Sequence, residues 1–304
     1  MDVYKLSIEH TSSKMINKDS FEEETRCREP WYQEVSGKTR SQFAVCPACD
    51  NPIQLIGLYN LPSNVQSPFG KHTTSDIKGI AYSNSEARDN CPYFKPRKHK
   101  KTDRKKKFDG TPRKILQLLI EKFDLVVHII EKETGIEFSS NSLKGMLERY
   151  KGEQGYMYTG ATLRNIPWIF AYMSDATDLF GQKVGGNTTL SHAIMKLAPE
   201  ACVGDNGRVT SNDRPGEKKL FVDIKLSFIQ HRFKKDSENA RLIETMELVV
   251  SRQKNSKIVD IYKKEIQFDY YLFERLIQNP DYHMIRRHDR VLLAKEVLAT
   301  LLDA

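Results

Sequence analysis

The feature that most constrains this chain is a set of cysteines and one histidine in its first third. Cys46-Pro47-Ala48-Cys49 is a CxxC pair, His72 follows after 22 intervening residues, and Cys91 follows after 18 more. Two thiolates at CxxC spacing on a tight turn can face one tetrahedral ion, and a structural site needs two further ligands. The pattern predicts a structural zinc site at Cys46, Cys49, His72 and Cys91, closed to water and therefore not catalytic.

Other arrangements of the cysteines stay open at this stage. The chain has five cysteines at irregular spacing, which argues against a disulfide framework. Cys27 or His99 could replace either of the two distant ligands. A lone CxxC can also be redox-active, but the βαβ pattern of thioredoxin-like proteins is missing around this one. We therefore favour a metal site over a redox site.

The same stretch carries a resemblance. The segment CPACDNPIQLIGLYNLPSNVQSPFGKH, continuing to NCPYF, resembles a module found in uncharacterised bacterial proteins and covers about one sixth of the chain. The resemblance implies that Cys46 and Cys49 pair with His72 and Cys91, and that the source is a bacterium or a phage. It implies no reaction.

Positive charge is concentrated in one place. The chain has 48 Lys+Arg and 40 Asp+Glu, and the 13-residue stretch 95–107 holds nine of the former and one of the latter, so the rest of the chain is balanced at 39 of each. We call residues 95–107 the basic segment. Because a block of like charges repels itself and buries nothing, we expect an extended or disordered linker. Its cations are Lys95, Arg97, Lys98, Lys100, Lys101, Arg104, Lys105, Lys106 and Lys107.

Such a charge density favours a nucleic-acid partner. Each cation close to a phosphate can release a condensed counterion, so the segment predicts binding to DNA or RNA backbone without sequence preference. A solvated linker with no partner is the simpler alternative. Acidic proteins or lipid head groups are a third class of partner.

The remaining sequence predicts an α+β protein in three parts. These are a zinc-binding module over 1–94, a basic linker over 95–110 and an α+β domain over 111–304. Residues 111–200 have mostly helical spacing. A first helix is predicted with Thr111 as N-cap and Pro112 in the first turn, ending at Gly135, a second with Ser139 or Ser142 as N-cap, and a third over Ala161–Phe180, interrupted at Pro167. Strands are predicted for Leu220–Phe233, Leu242–Val250 and Ile258–Phe268. Short helices are predicted for Tyr271–Gln278 and Asp289–Leu302.

Catalytic motifs are weak. Asp223-Ile224-Lys225 resembles the DxK end of a metal-dependent nuclease, which needs a second acid such as Asp205 or Asp213 to hold Mg²⁺. Tyr270 and Tyr271 could stack on bases, although such aromatics are more often part of a core. Neither pattern identifies a catalytic residue, a small-molecule substrate or an enzyme.

Hydropathy excludes other classes of protein. No apolar run approaches the roughly 18–20 residues of a membrane helix, and the N-terminal sequence lacks a signal-peptide pattern, so we expect a cytoplasmic protein. The leading hypothesis is a non-enzymatic, zinc-containing nucleic-acid-binding protein of bacterial or phage origin. The alternatives are a protein-interaction adaptor or inhibitor in phage defence or anti-defence, with a protein partner or self-association, and a Mg²⁺-dependent nuclease.

Overall fold

The chain folds into helices and antiparallel sheets, which confirms the predicted α+β class. The structure is a computed structural model that describes residues 1–34, 40–63, 65–213, 221–235, 241–254, 257–279 and 285–303. In those ranges, helices long and apolar enough to cross a membrane are absent.

The N-terminal part is built on one antiparallel sheet. Its elements are β1 (Val3–Tyr4), β2 (Lys14–Met15), α1 (Lys18–Thr25), β3 (Tyr32–Gln33), β4 (Ser41–Val45), β5 (Pro52–Ile56), β6 (Phe69–His72) and α2 (Ser85–Asp89). Strands β3, β4, β5 and β6 pair in that order, and β1 pairs with β2. Its small core buries Tyr4, Phe21 and Ile53 together with three cysteines.

The C-terminal part combines helices with a second antiparallel sheet. Its elements are α3 (Thr111–Glu121), α4 (Phe123–Thr134), α5 (Ser140–Gly152), α6 (Ile166–Tyr172), β7 (Thr177–Asp178), α7 (Thr188–Leu197), β8 (Ala201–Val203), β9 (Val209–Ser211), β10 (Ile224–Lys235), β11 (Leu242–Lys254), β12 (Lys257–Gln267), α8 (Tyr270–Gln278) and α9 (His288–Leu298). Short 3₁₀ helices span Gly155–Met157 and Ala299–Leu301. The main sheet has the order β12-β11-β10-β7, and its apolar face packs with the helices in one large core.

The structure confirms the predicted helix boundaries at Gly135 and Ser139, and three other helix predictions are wrong. Ser139 caps α5 by accepting a hydrogen bond from the Ser142 amide at 3.3 Å, and Gly135 ends α4 in the left-handed region. Thr111, however, is the first residue of α3 rather than its cap. The single helix predicted from there to Gly135 is two helices, α3 and α4, which meet at Lys122, where the backbone leaves the helical conformation. The predicted helix over Ala161–Phe180 is also wrong: Pro167 lies in the first turn of α6, where its missing N–H costs nothing, so it starts a short helix instead of interrupting a long one.

The three predicted strands are present as β10, β11 and β12. A bulge in β10 changes which of its side chains are buried. The strand buries alternate side chains as far as Phe228, and its pairing with β11 then shifts between Ile229 and Arg232. Gln230 takes a positive φ of 58°. A bulge inverts the inward and outward alternation, and His231 therefore points into the core. Of the predicted strand ends, Leu220 lies outside the described residues.

Candidate metal centre and basic segment

Three separate pieces of the N-terminal part carry the four predicted metal ligands. The CxxC turn connects β4 to β5, and it is closed by hydrogen bonds from the Cys46 amide to the Asn51 carbonyl at 2.8 Å and from the Asp50 amide to the Cys46 carbonyl at 3.0 Å. His72 is the last residue of β6, where it pairs with Ile53 of β5. Cys91 follows α2. Sheet pairing and one short helix thus bring the ligands together.

The four side chains form one buried cluster. Their Sγ and nitrogen atoms all lie within 4.8 Å of one another. Cys46 Sγ lies 3.7 Å from Cys91 Sγ, and Cys49 Sγ lies 3.4 Å from His72 Nε2. A tetrahedral ion with metal–sulfur bonds of about 2.3 Å and metal–nitrogen bonds of about 2.0 Å separates its ligands by roughly 3.8 Å (sulfur to sulfur) and 3.5 Å (sulfur to nitrogen). The cluster therefore has the size of a metal site.

A disulfide does not account for this arrangement. All five cysteines are free, and 3.7 Å between sulfurs is far longer than the bond of about 2.05 Å. The two alternative ligands lie elsewhere: Cys27 is outside the cluster, and the His99 ring bonds the Thr159 hydroxyl at 2.8 Å in the C-terminal part. The structure thus gathers the four residues that the spacing selected.

The protein groups around the sulfurs favour a thiolate at Cys46 only. Burial raises the pKa of Cys49 and of Cys91. Burial also opposes ionisation of Cys46, but hydrogen bonds from the other two thiols and the charge of His72 together lower its pKa well below the usual value. The side-chain amide nitrogen of Asn51, Nδ2, lies 3.4 Å from Cys49 Sγ and donates a hydrogen bond to it. Such outer contacts orient metal ligands and balance their charge.

The CxxC turn also contacts the C-terminal part. The carbonyl oxygen of Ala48 accepts a hydrogen bond from the Leu163 amide at 3.4 Å, and that of Cys49 accepts one from the Thr111 hydroxyl at 3.5 Å. The CxxC turn that would bind an ion therefore also accepts hydrogen bonds from the start of α3 and from the loop before α6.

The basic segment is an irregular loop with a turn at Lys100–Asp103, where the Asp103 amide donates to the Lys100 carbonyl at 2.9 Å, and part of the segment is buried. It contains no helix or strand beyond a single bridge between Arg104 and Tyr158. Lys105 is 8% exposed, its amide bonds the Met157 carbonyl at 2.7 Å, and its Nζ bonds the Ala161 carbonyl at 2.7 Å. The expectation that the segment buries nothing is wrong here, because it lies against the C-terminal part.

The remaining cations of the segment fall into two groups. Lys101 forms an ion pair with Asp175, and Arg104 forms one with Glu153 at 3.3 Å. The six others are exposed and form no ion pair with any described residue: Lys95, Arg97, Lys98, Lys100, Lys106 and Lys107. We call these six the exposed cations.

The carboxylate that lies near Asp223 and Lys225 is that of Asp178, which the sequence did not indicate. Lys225 Nζ lies 3.4 Å from Asp223 Oδ1 and 3.4 Å from Asp178 Oδ2. Asp178 belongs to β7 and is directly opposite Lys225 in the sheet. Asp205 and Asp213, which the sequence suggested, form no ion pair with Lys225. A two-residue strand gives almost no sequence signal, so this neighbour was not predictable.

A buried polar network surrounds Glu244, and the sequence did not indicate it. Glu244 Oε1 accepts hydrogen bonds from His231 Nε2 at 2.5 Å and from Asn165 Nδ2 at 2.6 Å. Its Oε2 accepts one from the Tyr270 hydroxyl, and His231 Nδ1 lies 3.0 Å from the Tyr158 hydroxyl. His231 had no visible partner in the sequence, because the bulge that turns it inward cannot be read from residue types.

Comparison of the chain with protein-family models, with curated proteins and with solved structures gives no match.

Proposed function

We propose that this protein is a non-enzymatic, zinc-containing nucleic-acid-binding protein of bacterial or phage origin that acts in the cytoplasm. The observation that carries the proposal is the set of six exposed cations on the basic segment, which closely follows the last ligand of the candidate metal site along the chain. The bacterial or phage source rests on the resemblance of the Cys46–Cys91 module.

The donor set favours zinc. Three thiolates and one imidazole are the ligands of structural zinc sites, and soft thiolates select zinc over magnesium or calcium. The cluster offers four ligands within a small buried volume, and a tetrahedral ion held by all four has no open position for water. Zinc bound there would stabilise the fold of the module rather than take part in a reaction.

The basic segment supplies the affinity for nucleic acid. Contacts from lysine and arginine to phosphate are sequence-independent and gain free energy from counterion release. Lys101, Arg104 and Lys105 are already paired or buried, so only the six exposed cations contribute. If all six contact phosphate, the slope of log K against log salt is about −5 on duplex DNA and about −4 on a single strand.

A salt titration of binding tests this proposal. Affinity for DNA and RNA would be measured between about 50 and 300 mM salt for the native chain and for a variant with the six exposed cations changed to Ser. We expect a steep slope that flattens in the variant. A control of equal net charge changes six exposed lysines outside the segment to Ser and should keep the slope. These are Lys18, Lys71, Lys78, Lys132, Lys196 and Lys257. Absence of binding at 50 mM would overturn the proposal.

One observation favours a second candidate function. Asp178 and Asp223 both lie 3.4 Å from Lys225, so two carboxylates and a lysine share one end of the sheet, as a Mg²⁺-dependent nuclease requires. Such an enzyme would cleave DNA or RNA only with Mg²⁺, and Asp178→Asn and Asp223→Asn would each abolish cleavage. Cleavage that is absent with Mg²⁺ would eliminate this candidate and leave the first one intact.

A further inference from the structure

A cleft with aromatic walls opens between the N-terminal part and the second sheet. Its volume is about 540 Å³, and it lies between β1, β2, β11, β12 and the start of α8. That volume falls within the range of about 300–1,000 Å³ typical of small-molecule sites. Tyr93, Arg164, Arg241 and Tyr271 are among its lining residues.

One buried arginine fixes the aromatic wall. Arg164 pairs with Glu274 at 2.7 Å, with side-chain exposures of 4% and 6%. Its guanidinium also donates to the Tyr93 hydroxyl and lies 4.4 Å and 5.4 Å from the ring centres of Tyr270 and Tyr271. The rings of the cleft are thus held in place before any ligand arrives, which reduces the entropy cost of binding.

The ring of Tyr271 is the surface available for stacking. Its residue is 46% exposed, whereas Tyr270 is only 8% exposed. At the rim, Gln267 and Arg241 offer hydrogen-bond donors, and Asp2 and Asp269 offer acceptors. A planar ring with donors and acceptors around its edge, such as a nucleobase, matches this combination.

The charges of the cleft fit a base better than a free nucleotide. Glu274 already balances Arg164, and the carboxylate of Asp2 lies 4.0 Å from Arg241. The cleft therefore offers little excess positive charge for a phosphate group. The phosphates of a ligand that binds there would need cations from elsewhere on the molecule.

The first of those cations follows the cleft wall closely along the chain. Tyr93 lines the cleft, and Lys95, the first of the exposed cations, follows two residues later. Between them, Phe94 is 40% exposed, with Arg88 at 5.2 Å and Lys95 at 6.0 Å from its ring centre. A strand that left the cleft along Tyr93 would pass an exposed aromatic ring and then reach the basic segment.

We infer that the cleft takes an unstacked base of a single-stranded nucleic acid, while the exposed cations hold the flanking phosphates. This inference rests on the proposed function and specifies its substrate class as single strands. Stacking tolerates any base, so it adds affinity for single strands without sequence preference. A base inside a duplex cannot enter the cleft without being unpaired.

The test compares a fluorescently labelled dodecamer, as DNA and as RNA, with the same sequence in duplex form. We expect the native chain to bind the single strands more tightly than the duplex. Tyr271→Ala should weaken single-strand binding about tenfold, because stacking is worth roughly 1–3 kcal/mol per base, and it should leave duplex binding and the salt slope unchanged. Tyr271→Trp should restore the affinity.

The matched control is Tyr82→Ala, since Tyr82 is 85% exposed and lies outside the cleft; it should not change single-strand affinity. Circular dichroism and thermal melting verify that each variant is folded.

Equal affinity for both forms, with no effect of Tyr271→Ala, would overturn the inference and leave the proposed function standing. Binding of neither form at 50 mM salt would overturn both. Displacement of the strand by adenosine monophosphate as effectively as by unlabelled oligonucleotide would also overturn the inference, because the cleft would then be a mononucleotide site.

Discussion

Asp50, which follows the CxxC pair, forms an ion pair with Lys114 of α3 across 2.6 Å. Its other carboxylate oxygen lies 2.5 Å from the Nζ of Lys5, a side chain that is only 3% exposed. One carboxylate on the metal-binding turn therefore connects the N-terminal strand region to the first helix of the C-terminal part. This geometry couples the turn to the rest of the molecule, and its contribution can be measured.

Asp50→Ala should destabilise the protein by about 2 kcal/mol, because it leaves the buried ammonium of Lys5 without a carboxylate, held only by the Ile8 and His10 carbonyl oxygens. Chemical denaturation followed by circular dichroism measures the loss. The matched control is Asp89→Ala, whose carboxylate is 57% exposed beside Arg88 and should contribute almost nothing. Equal effects of the two substitutions would show that Asp50 does not connect the two parts.

Metal content should depend on the four clustered residues alone. We expect about one zinc per chain in the purified protein, and Cys46→Ser should lose it, since three ligands hold the ion far less tightly. Cys27→Ser and Cys202→Ser should retain it, because neither residue belongs to the cluster. Elemental analysis measures the metal, and the absorption of a cobalt-substituted sample reports tetrahedral thiolate ligation. A Cys46→Ser variant with full zinc content would contradict the assignment.

The ligand cluster was predictable because its signals are local. The CxxC turn and the Cys-Pro turn at Cys91 are recognisable from neighbouring residues. His72 reaches the cluster through the pairing of β5 with β6. The total charge of the basic segment was equally predictable. The burial of Lys105 was not, because its partners Met157 and Ala161 lie more than fifty residues further along the chain.

Sequence reasoning failed where tertiary contacts override local preference. Pro167 predicts a break within a helix. In the structure the preceding loop ends at this point, so Pro167 lies in the first turn of α6 instead. Glu244 occupies the apolar face of β11, in line with the buried Met246 and Leu248, and no strand pattern predicts a carboxylate at that position. A carboxylate there is explained by the inward-facing His231 of β10, to which it is hydrogen-bonded, and the orientation of His231 depends on the bulge at Gln230.

Glu244→Ala should destabilise the protein by about 3–5 kcal/mol, because it leaves His231, Asn165 and Tyr270 without their buried acceptor. Glu244→Gln keeps the shape and one acceptor oxygen and should cost less. Urea denaturation measures both, with the exposed Glu265→Ala in β12 as the control. A native-like stability of Glu244→Ala would show that the network does not contribute to the fold.

His99 should make the stability of the protein depend on pH in the acidic range. Burial beside Tyr158 and Phe233, together with the charge of Arg97, lowers the pKa of its imidazole from 6.5 to about 4. Between those two values the unfolded chain binds a proton that the folded chain does not, so the free energy of unfolding falls as the pH decreases from about 6.5 to 4.

The contribution of this group over that interval is about 3 kcal/mol. Since acid also protonates metal ligands, the informative quantity is the difference between the native chain and His99→Gln, which lacks the titrating ring. The variant should lose less stability than the native chain between pH 7 and pH 4, as measured by urea denaturation at each pH. His192→Gln, at an exposed position, should follow the native curve. Parallel curves for His99→Gln and the native chain would mean that His99 does not produce the acid sensitivity.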